Sequence, residues 1–166
     1  MTATNPFFEI SLLPYQAPHF DQINDSHYRP AFDEALRQKR ADIDAIVSQT
    51  AAPDFNNTVL ALEKSGVMLS RVSSVFFAMT SAHTNPYLQE LEEQFSTELA
   101  ALANDIWLND TLFARVESVW QDRGALAAES RRLVEETYQR FILAGARLNE
   151  TEKAELKALN TEAASL

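Results

Sequence analysis

The sequence predicts an all-α protein, an irregular bundle of about six helices that follows an extended N-terminal arm. Only three of its 166 residues are glycine, too few for a β-rich fold with many tight turns. Apolar residues recur at steps of three, four and seven, which places them on one face of a helix. Most of these stretches begin at Asn, Asp, Ser or Thr, the residue types that cap helices.

Residues 1–24 are predicted to form the arm, packed across the outside of the helices. Three prolines, Pro6, Pro14 and Pro18, exclude a continuous helix here. The many large apolar residues argue against a disordered tail and indicate anchoring by the aromatic rings. These residues are Phe7, Phe8, Ile10, Leu12, Leu13, Tyr15, Phe20 and Ile23. Residues 25–166 are predicted to be the helical domain.

The first helix is predicted at residues 26–50, and a second helix, or a pair of helices, at residues 57–81. Asp25 or Ser26 is the expected cap of the first helix. The second carries a broad apolar stripe, typical of a helix inside a bundle, formed by Leu62, Leu69, Val72, Phe76 and Met79. Gly66 interrupts this pattern, so either the helix bends there or another backbone comes close.

Four further helices are predicted downstream. Asn85 caps the third, which ends near residue 107, and Asn109 caps the fourth, which ends near Gly124. The fifth covers residues 127–148. The sixth begins with a capping box formed by Asn149 and Glu152, and it is expected to bury Leu156, Leu159 and Ala163. Because this last pattern is unfinished, we expect the chain to be part of a longer polypeptide.

The charge balance limits the classes of partner. The net charge is −10, whereas nucleic acids and anionic membrane surfaces require clustered Lys and Arg. We therefore expect no nucleic acid and no membrane partner. The absence of cysteine excludes disulfides, thiolate metal sites and cysteine nucleophiles. No apolar run is long enough to span a bilayer, and a cytoplasmic protein is expected.

Candidate catalytic residues are scarce. His19, His27 and His83 lie too far apart in sequence to form a His-Glu-x-x-His zinc motif, and His83 is interpreted as a packed or end-of-helix residue. Neither a Gly-x-Ser-x-Gly nucleophile motif nor a phosphate-binding loop occurs. Neighbouring carboxylates, such as those of Glu135 and Glu136, point apart around a helix. No residue is therefore assigned to catalysis, to a cofactor or to a metal.

Four Asn-x-Ser/Thr sequences could be mistaken for glycosylation sites. Each falls at a predicted helix start, where an asparagine side chain accepts a hydrogen bond from a free backbone N–H group. Capping is therefore the preferred interpretation of Asn24, Asn56, Asn109 and Asn149.

A series of ordered motifs resembles a known family over nearly the whole chain. The motifs lie at 13–15 (LPY), 20–23 (FDQI), 27–32 (HYRPAF), 55–58 (FNNT), 60–66 (LALEKSG), 71–72 (RV), 75–77 (VFF), 84–86 (TNP), 132–135 (RLVE) and 141–145 (FILAG). They resemble the N-terminal region of the thimet oligopeptidase family of zinc metallopeptidases and, within it, the bacterial peptidyl-dipeptidases.

The resemblance implies an enzyme that removes C-terminal dipeptides from oligopeptides, using one zinc ion in a deep channel. The family's His-Glu-x-x-His lies in a later part of a longer chain, so this segment is expected to be inactive and to bind no zinc. Its helices would form a wall or cover of the channel. The implied partners are the oligopeptide substrate and the missing catalytic half, with possible self-association through the exposed apolar face.

The alternative function is a free-standing helical interaction module without enzymatic activity. Broad apolar faces and an unfinished last helix suit either hypothesis. An open reading frame that continues past Leu166 into a His-Glu-x-x-His motif would distinguish them in favour of the peptidase.

Overall fold

The computed structural model describes residues 5–164, which form helices and connecting loops without a strand. The predicted all-α class is therefore confirmed, and six of the helices exceed ten residues within this part of the chain. The helices are α1 Tyr28–Val47, α2 Ala61–Lys64, α3 Val67–Ala82, α4 Pro86–Trp107, α5 Asp110–Gln121, α6 Ala128–Leu143 and α7 Glu150–Ala164. Short 3-10 turns occur at Pro6–Phe8, Pro14–Gln16, Asp25–His27 and Arg123–Ala125, and a π-helical segment covers Phe55–Leu60.

Side-chain caps start the helices at most of the expected positions. The Oδ1 atoms of Asn85 and Asn109 accept from the backbone N–H groups of residues 88 and 112, at 3.0 and 2.9 Å. Asn149 and Glu152 form the expected capping box, with both bonds at 3.0 Å. At the first helix the cap is Asn24, as the interpretation of its Asn-x-Ser sequence predicts, and not Asp25 or Ser26.

The second of the four predicted capping asparagines, Asn56, also lies at a helix start, although another residue makes the cap. Asp54 accepts from the backbone N–H of Asn57 at 2.7 Å, and the Asn57 side chain accepts from the backbone N–H of Asp54 at 3.0 Å. Asn56 lies inside the π-helical segment that this box begins. The capping residue therefore lies two residues before the asparagine singled out in the sequence.

Two glycines mark breaks in the helical stretches. Gly66 has φ +74°, in the left-handed region, so the second predicted stretch is a pair of helices, α2 and α3. Gly145 has φ +95° and follows the end of α6 at Leu143, five residues before the predicted end of that helix. Both breaks follow from backbone conformations that residues with a side chain rarely adopt.

The chain divides into two compact units. The first contains the described residues up to Lys39 together with Gly66–Phe95. Its core is aromatic: the rings of Phe32 and Phe95 stack with centroids 3.8 Å apart, and Phe76 meets Phe95 edge-on at 4.8 Å. Tyr28 continues this cluster at 5.1 Å from Phe76. Phe76, from the stripe predicted for the second helical stretch, is therefore part of this core.

The second unit contains Arg40–Ser65 and the residues from Ser96 onward. Val59, Val119 and Val134 are buried together, which joins the π-helical segment to α5 and α6. Beside them, the rings of Trp120 and Tyr138 stack at 4.4 Å. Trp120 of α5 and Tyr138 of α6 therefore form part of a packed interface.

Two expectations about burial need correction. On α7, Leu159 and Ala163 are exposed and only Leu156 is partly covered, whereas Lys153 is buried. In the N-terminal region, Phe7 is buried but Phe8, Tyr15 and Phe20 are exposed, so one aromatic ring anchors this stretch rather than all of them. On α7 and in the N-terminal region, the sequence pattern indicates apolar side chains, but the described residues do not cover them.

The left-handed glycine at position 145 provides a stability test. A Cβ atom there would lie 2.8 Å from Leu148 Cδ1 and 2.9 Å from Leu156 Cδ2, in addition to the unfavourable φ. We expect Gly145→Ala to lower the free energy of unfolding by about 2 kcal/mol, measured by urea denaturation.

Gly124→Ala is the matched control, because a Cβ atom at position 124 meets nothing within 4 Å and the φ angle is not in the left-handed region. Its unfolding free energy should stay within about 0.5 kcal/mol of the parent value. Equal denaturation midpoints for the two variants would contradict this account of the α6 terminus.

Candidate functional site

The second unit carries an open groove of about 540 Å³. It lies where the later part of α1, the end of α4, the start of α5 and α7 meet. Its buried apolar lining is Ile43, Leu102, Ile106 and Leu108. Its exposed charged lining is Arg40, Asp44, Asp105, Asp110 and Lys157. We call this surface the charged groove. It combines an apolar floor with hydrogen-bond donors and acceptors of both charges.

Helix capping and a buried ammonium group position one side of the charged groove. The Asn109 cap fixes the first turn of α5, which carries Asp110. The Asp110 carboxylate accepts a hydrogen bond from the ammonium group of Lys153 on α7, and Glu150 lies 3.9 Å from the same nitrogen. Because a buried charge is costly without a partner, this ion pair holds the start of α7 against α5.

A second polar contact places Lys157 at the groove. Asn160 donates through its amide to Oδ1 of the buried Asn104 at 2.7 Å, which joins α7 to α4. Lys153, Lys157 and Asn160 follow at steps of four and three, and therefore share one face of α7. Lys153 is the buried member of this face, whereas Lys157 and Asn160 are exposed, and the same orientation of α7 leaves Leu159 exposed.

A buried arginine supports the same unit at the loop that follows α1. The Arg115 side chain on α5 donates to the backbone oxygens of Gln49 and Ala51 at 3.2 and 3.3 Å, and to Asn57 Oδ1 at 2.9 Å. Only 7% of its surface is exposed. Its Nε has no hydrogen-bond partner among the described residues. Arg115 therefore ties the loop after α1 to the start of the π-helical segment.

Neither Arg115 nor Lys153 was singled out from the sequence. A signal existed for Arg115, because it lies between Leu112 and Val119 on an apolar stripe, where a charged residue must find buried partners. Lys153 carried no such signal, because it sits in a helix rich in charged residues. Its burial depends on Asp110, 43 residues earlier in the chain.

The first unit has a separate shallow cavity of about 570 Å³ lined by residues from the N-terminal stretch, α1 and α3, among them Phe8, Pro30 and Met68. Glu34 on its edge accepts two bonds from Arg37, at 2.8 and 2.6 Å, and one from Gln38 at 2.8 Å. The hydrogen bonds from Arg37, and then that from Gln38, lower the pKa of the Glu34 carboxyl to about 2. The carboxylate is therefore held ionised as a local structural contact.

The three histidines do not converge on one site. His27 Nδ1 lies 3.1 Å from the backbone nitrogen of Asn24 within a capping box, and His83 ends α3 with its N–H donating to Met79 at 2.7 Å. His19 lies 3.9 Å from Asp21 at the surface. The end-of-helix interpretation of His83 is confirmed. Across residues 5–164 no three His, Cys, Asp or Glu side chains come together as metal ligands.

Residues 5–164 also contain no helix with both the length and the apolar character needed to cross a bilayer.

Comparison with known proteins identifies the class of protein that the chain resembles, namely bacterial carboxypeptidases. It is 65% identical over 166 residues to Dipeptidyl carboxypeptidase of Salmonella typhimurium strain LT2, a match that covers 99% of the chain and 24% of the relative. Dipeptidyl carboxypeptidase of Escherichia coli K12 is also 65% identical, over 168 residues, covering 100% of the chain and 25% of the relative. The resemblance seen in the sequence motifs is therefore confirmed.

A more distant relative supports the wider family resemblance. Oligopeptidase A of Escherichia coli K12 is 31% identical over 91 residues, which are 55% of the chain and 13% of that protein. No family model matches the chain. The chain spans about a quarter of the length of the two dipeptidyl carboxypeptidases.

The buried arginine provides the second stability test. We expect Arg115→Met to lower the free energy of unfolding by about 2–4 kcal/mol, because it removes three hydrogen bonds from a charged donor and leaves Asn57 without that partner. Urea denaturation of the 166-residue chain measures this loss.

Arg131→Met is the control, since Arg131 also donates to two backbone oxygens, those of Gly124 and Leu126, but from an exposed side chain. Its effect should stay below about 1 kcal/mol. If the two variants lose the same stability, Arg115 does not hold the loop as described.

Proposed function

We propose that the chain is a non-catalytic helical part of a zinc-dependent peptidyl-dipeptidase, a polypeptide that removes C-terminal dipeptides from oligopeptides. The observation that carries the proposal is the 65% identity, over the length of the chain, to two proteins named Dipeptidyl carboxypeptidase. Because the chain spans about a quarter of those proteins, the catalytic residues would lie in the remaining polypeptide.

The composition of the chain supports a non-catalytic role. A zinc peptidase of this kind uses a His-Glu-x-x-His helix, in which two imidazoles bind the metal and the glutamate activates water. The 166 residues contain no such sequence. Across residues 5–164 the histidines also do not join other His, Cys, Asp or Glu side chains in a group of three that could hold a metal ion. We therefore assign no step of the reaction to this chain.

The role we propose for the helices is to form a wall or cover of the substrate channel. The charged groove is the surface best suited to face an oligopeptide. Arg40 and Lys157 could bind a peptide carboxylate or carbonyl groups, and Asp44 and Asp105 could accept from peptide N–H groups. The rigid contacts of Lys153 and Asn160 would hold this wall in place.

The alternative is a free-standing module that binds another protein. The exposed apolar residues of the N-terminal stretch favour it, because such surfaces often mark interaction sites. The two hypotheses differ in the partner. The peptidase hypothesis requires a partner within one longer polypeptide, whereas the module would bind a separate chain.

A chimeric enzyme tests the proposed function. The chain would replace the matching quarter of the Salmonella dipeptidyl carboxypeptidase, and dipeptide release from a blocked tripeptide would be measured with zinc. We expect the chimera to release dipeptides, because 65% identity preserves most of the contacts between this quarter and the rest. The 166-residue chain alone should release none and should bind no stoichiometric zinc.

The control is the Salmonella polypeptide without its matching quarter, which should lose activity. Cleavage by the isolated chain would contradict the non-catalytic role. A chimera that folds with a cooperative thermal transition but releases no dipeptide would contradict the proposed family role.

A further inference from the structure

The N-terminal stretch of the first unit presents an unusual concentration of exposed apolar side chains. Among the described residues, ten large apolar side chains are exposed, and six of them lie within residues 8–20: Phe8, Ile10, Leu12, Leu13, Tyr15 and Phe20. We call residues 8–20 the arm segment. Single exposed apolar residues are ordinary, but a cluster of this density usually marks a surface that another molecule covers.

The arm segment is held at its base. On one side Phe7 is buried against Tyr28, with ring centroids 5.7 Å apart, and its carbonyl accepts from Arg71 at 2.5 Å. The Asn5 amide donates to the carbonyl of His27 at 2.8 Å, which brings the two ends of the stretch together. The segment is therefore a loop closed at its base, and its apolar side chains project from a fixed position.

The backbone of the loop also limits its conformations. Pro14 and Pro18 each fix one φ angle, and two turns close through Gln16 to Leu13 and Ala17 to Pro14 at 2.9 and 3.2 Å. Tyr15 and Gln16 have φ angles of 59° and 54°, a conformation that is unfavourable for residues with a side chain. Tyr15 nevertheless remains fully exposed, so it gains no burial within the described chain. A restricted loop loses little entropy when a partner covers it.

We infer that the arm segment docks onto the remaining polypeptide of a dipeptidyl carboxypeptidase-type protein, and this inference rests on the function proposed above. The relatives contain about three quarters of their length beyond the part matched here, so the inferred occupant belongs to the same longer chain. Apolar side chains of the arm segment would pack against it, as in the core of an interface within one polypeptide.

The distribution of charge favours this occupant over a second copy. The arm segment contains one carboxylate, Glu9, and no Lys or Arg, whereas the chain as a whole has a net charge of −10. Two copies of so acidic a chain would repel each other as their arm segments approached. An anionic membrane is disfavoured for the same reason. The arm segment is a nearly neutral, exposed apolar surface on an acidic protein, and such a surface suits contact with another part of the same polypeptide.

The experiment tests one double variant both in the isolated 166-residue chain and in the chimera. Leu12→Ser combined with Tyr15→Ser removes the two most exposed apolar side chains of the arm segment, and Leu12 is 97% exposed in the described structure. In the isolated 166-residue chain, the urea midpoint should remain unchanged, because neither side chain is buried. In the chimera, the thermal midpoint should fall and the half-life of activity on heating should shorten at least about fivefold, because both side chains lose apolar burial.

Val67→Ser is the matched control. Val67 is exposed in the same unit but lies outside the arm segment, at the first residue of α3. Its effect on the chimera should be clearly smaller than that of the double variant. Equal losses from the two would mean that the arm segment has no special contact, and would overturn the inference.

The remaining outcomes separate this inference from the proposed function. A chimera that releases dipeptides and is indifferent to the double variant overturns the inference and leaves the proposed function intact. A folded chimera that releases no dipeptide overturns the proposed function, and its thermal midpoint still reports whether the arm segment is covered. A chimera that sediments as a dimer, and as a monomer after the double substitution, would make a second copy the occupant and overturn the inference.

Discussion

The first unit depends on the stacked rings of Phe32 and Phe95, which join α1 to α4. Phe76 of α3 meets Phe95 edge-on, and the cluster continues through Tyr28 to Phe7. Aromatic groups bury large apolar areas, so this one cluster provides much of the cohesion of the unit. It also fixes the base of the arm segment, because Phe7 is part of it. The exposed position of the arm segment thus follows from the core itself.

The second unit is organised by buried cations as well as by apolar packing. Arg115 binds the loop after α1, and Lys153 pairs with Asp110 at the start of α5. Each cation needs acceptors from a different part of the chain, since a buried charge without partners is strongly destabilising. These pairings determine which face of α7 turns inward. They also place Arg40 and Lys157 around one groove, which is how packing leads to the surface proposed to face a peptide.

Much of the fold could be predicted because helix patterns and caps are local. The stripe from Leu62 to Phe76 and the caps at Asn109 and Asn149 depend on neighbours within a few residues. The face of α7 could not be predicted, because Leu159 and Lys153 compete for burial and a distant carboxylate decides the outcome. The exposure of Leu12 was missed for a related reason. An apolar pattern shows that a side chain favours burial, but it does not identify the partner that buries it.

The candidate functional surfaces could likewise be predicted only where they depend on residues that are close in sequence. The absence of a catalytic motif was visible in the sequence, because such motifs are short and contiguous. The charged groove was not visible, because its lining residues come from four helices. The proposed partner, the rest of a longer polypeptide, came from the family resemblance, because neither periodicity nor composition points to it.

The central claim is that this helical chain is one part of a larger peptidase fold, and that its exposed apolar loop meets the rest. Because the chain contains no cysteine, Leu12→Cys introduces its one thiol. The rate of maleimide labelling at position 12, followed by mass spectrometry of that peptide, would be compared between the isolated chain and the chimera. The account predicts rapid labelling in the isolated chain and protection on the order of tenfold or more in the chimera. Equal rates in the two contexts would contradict it.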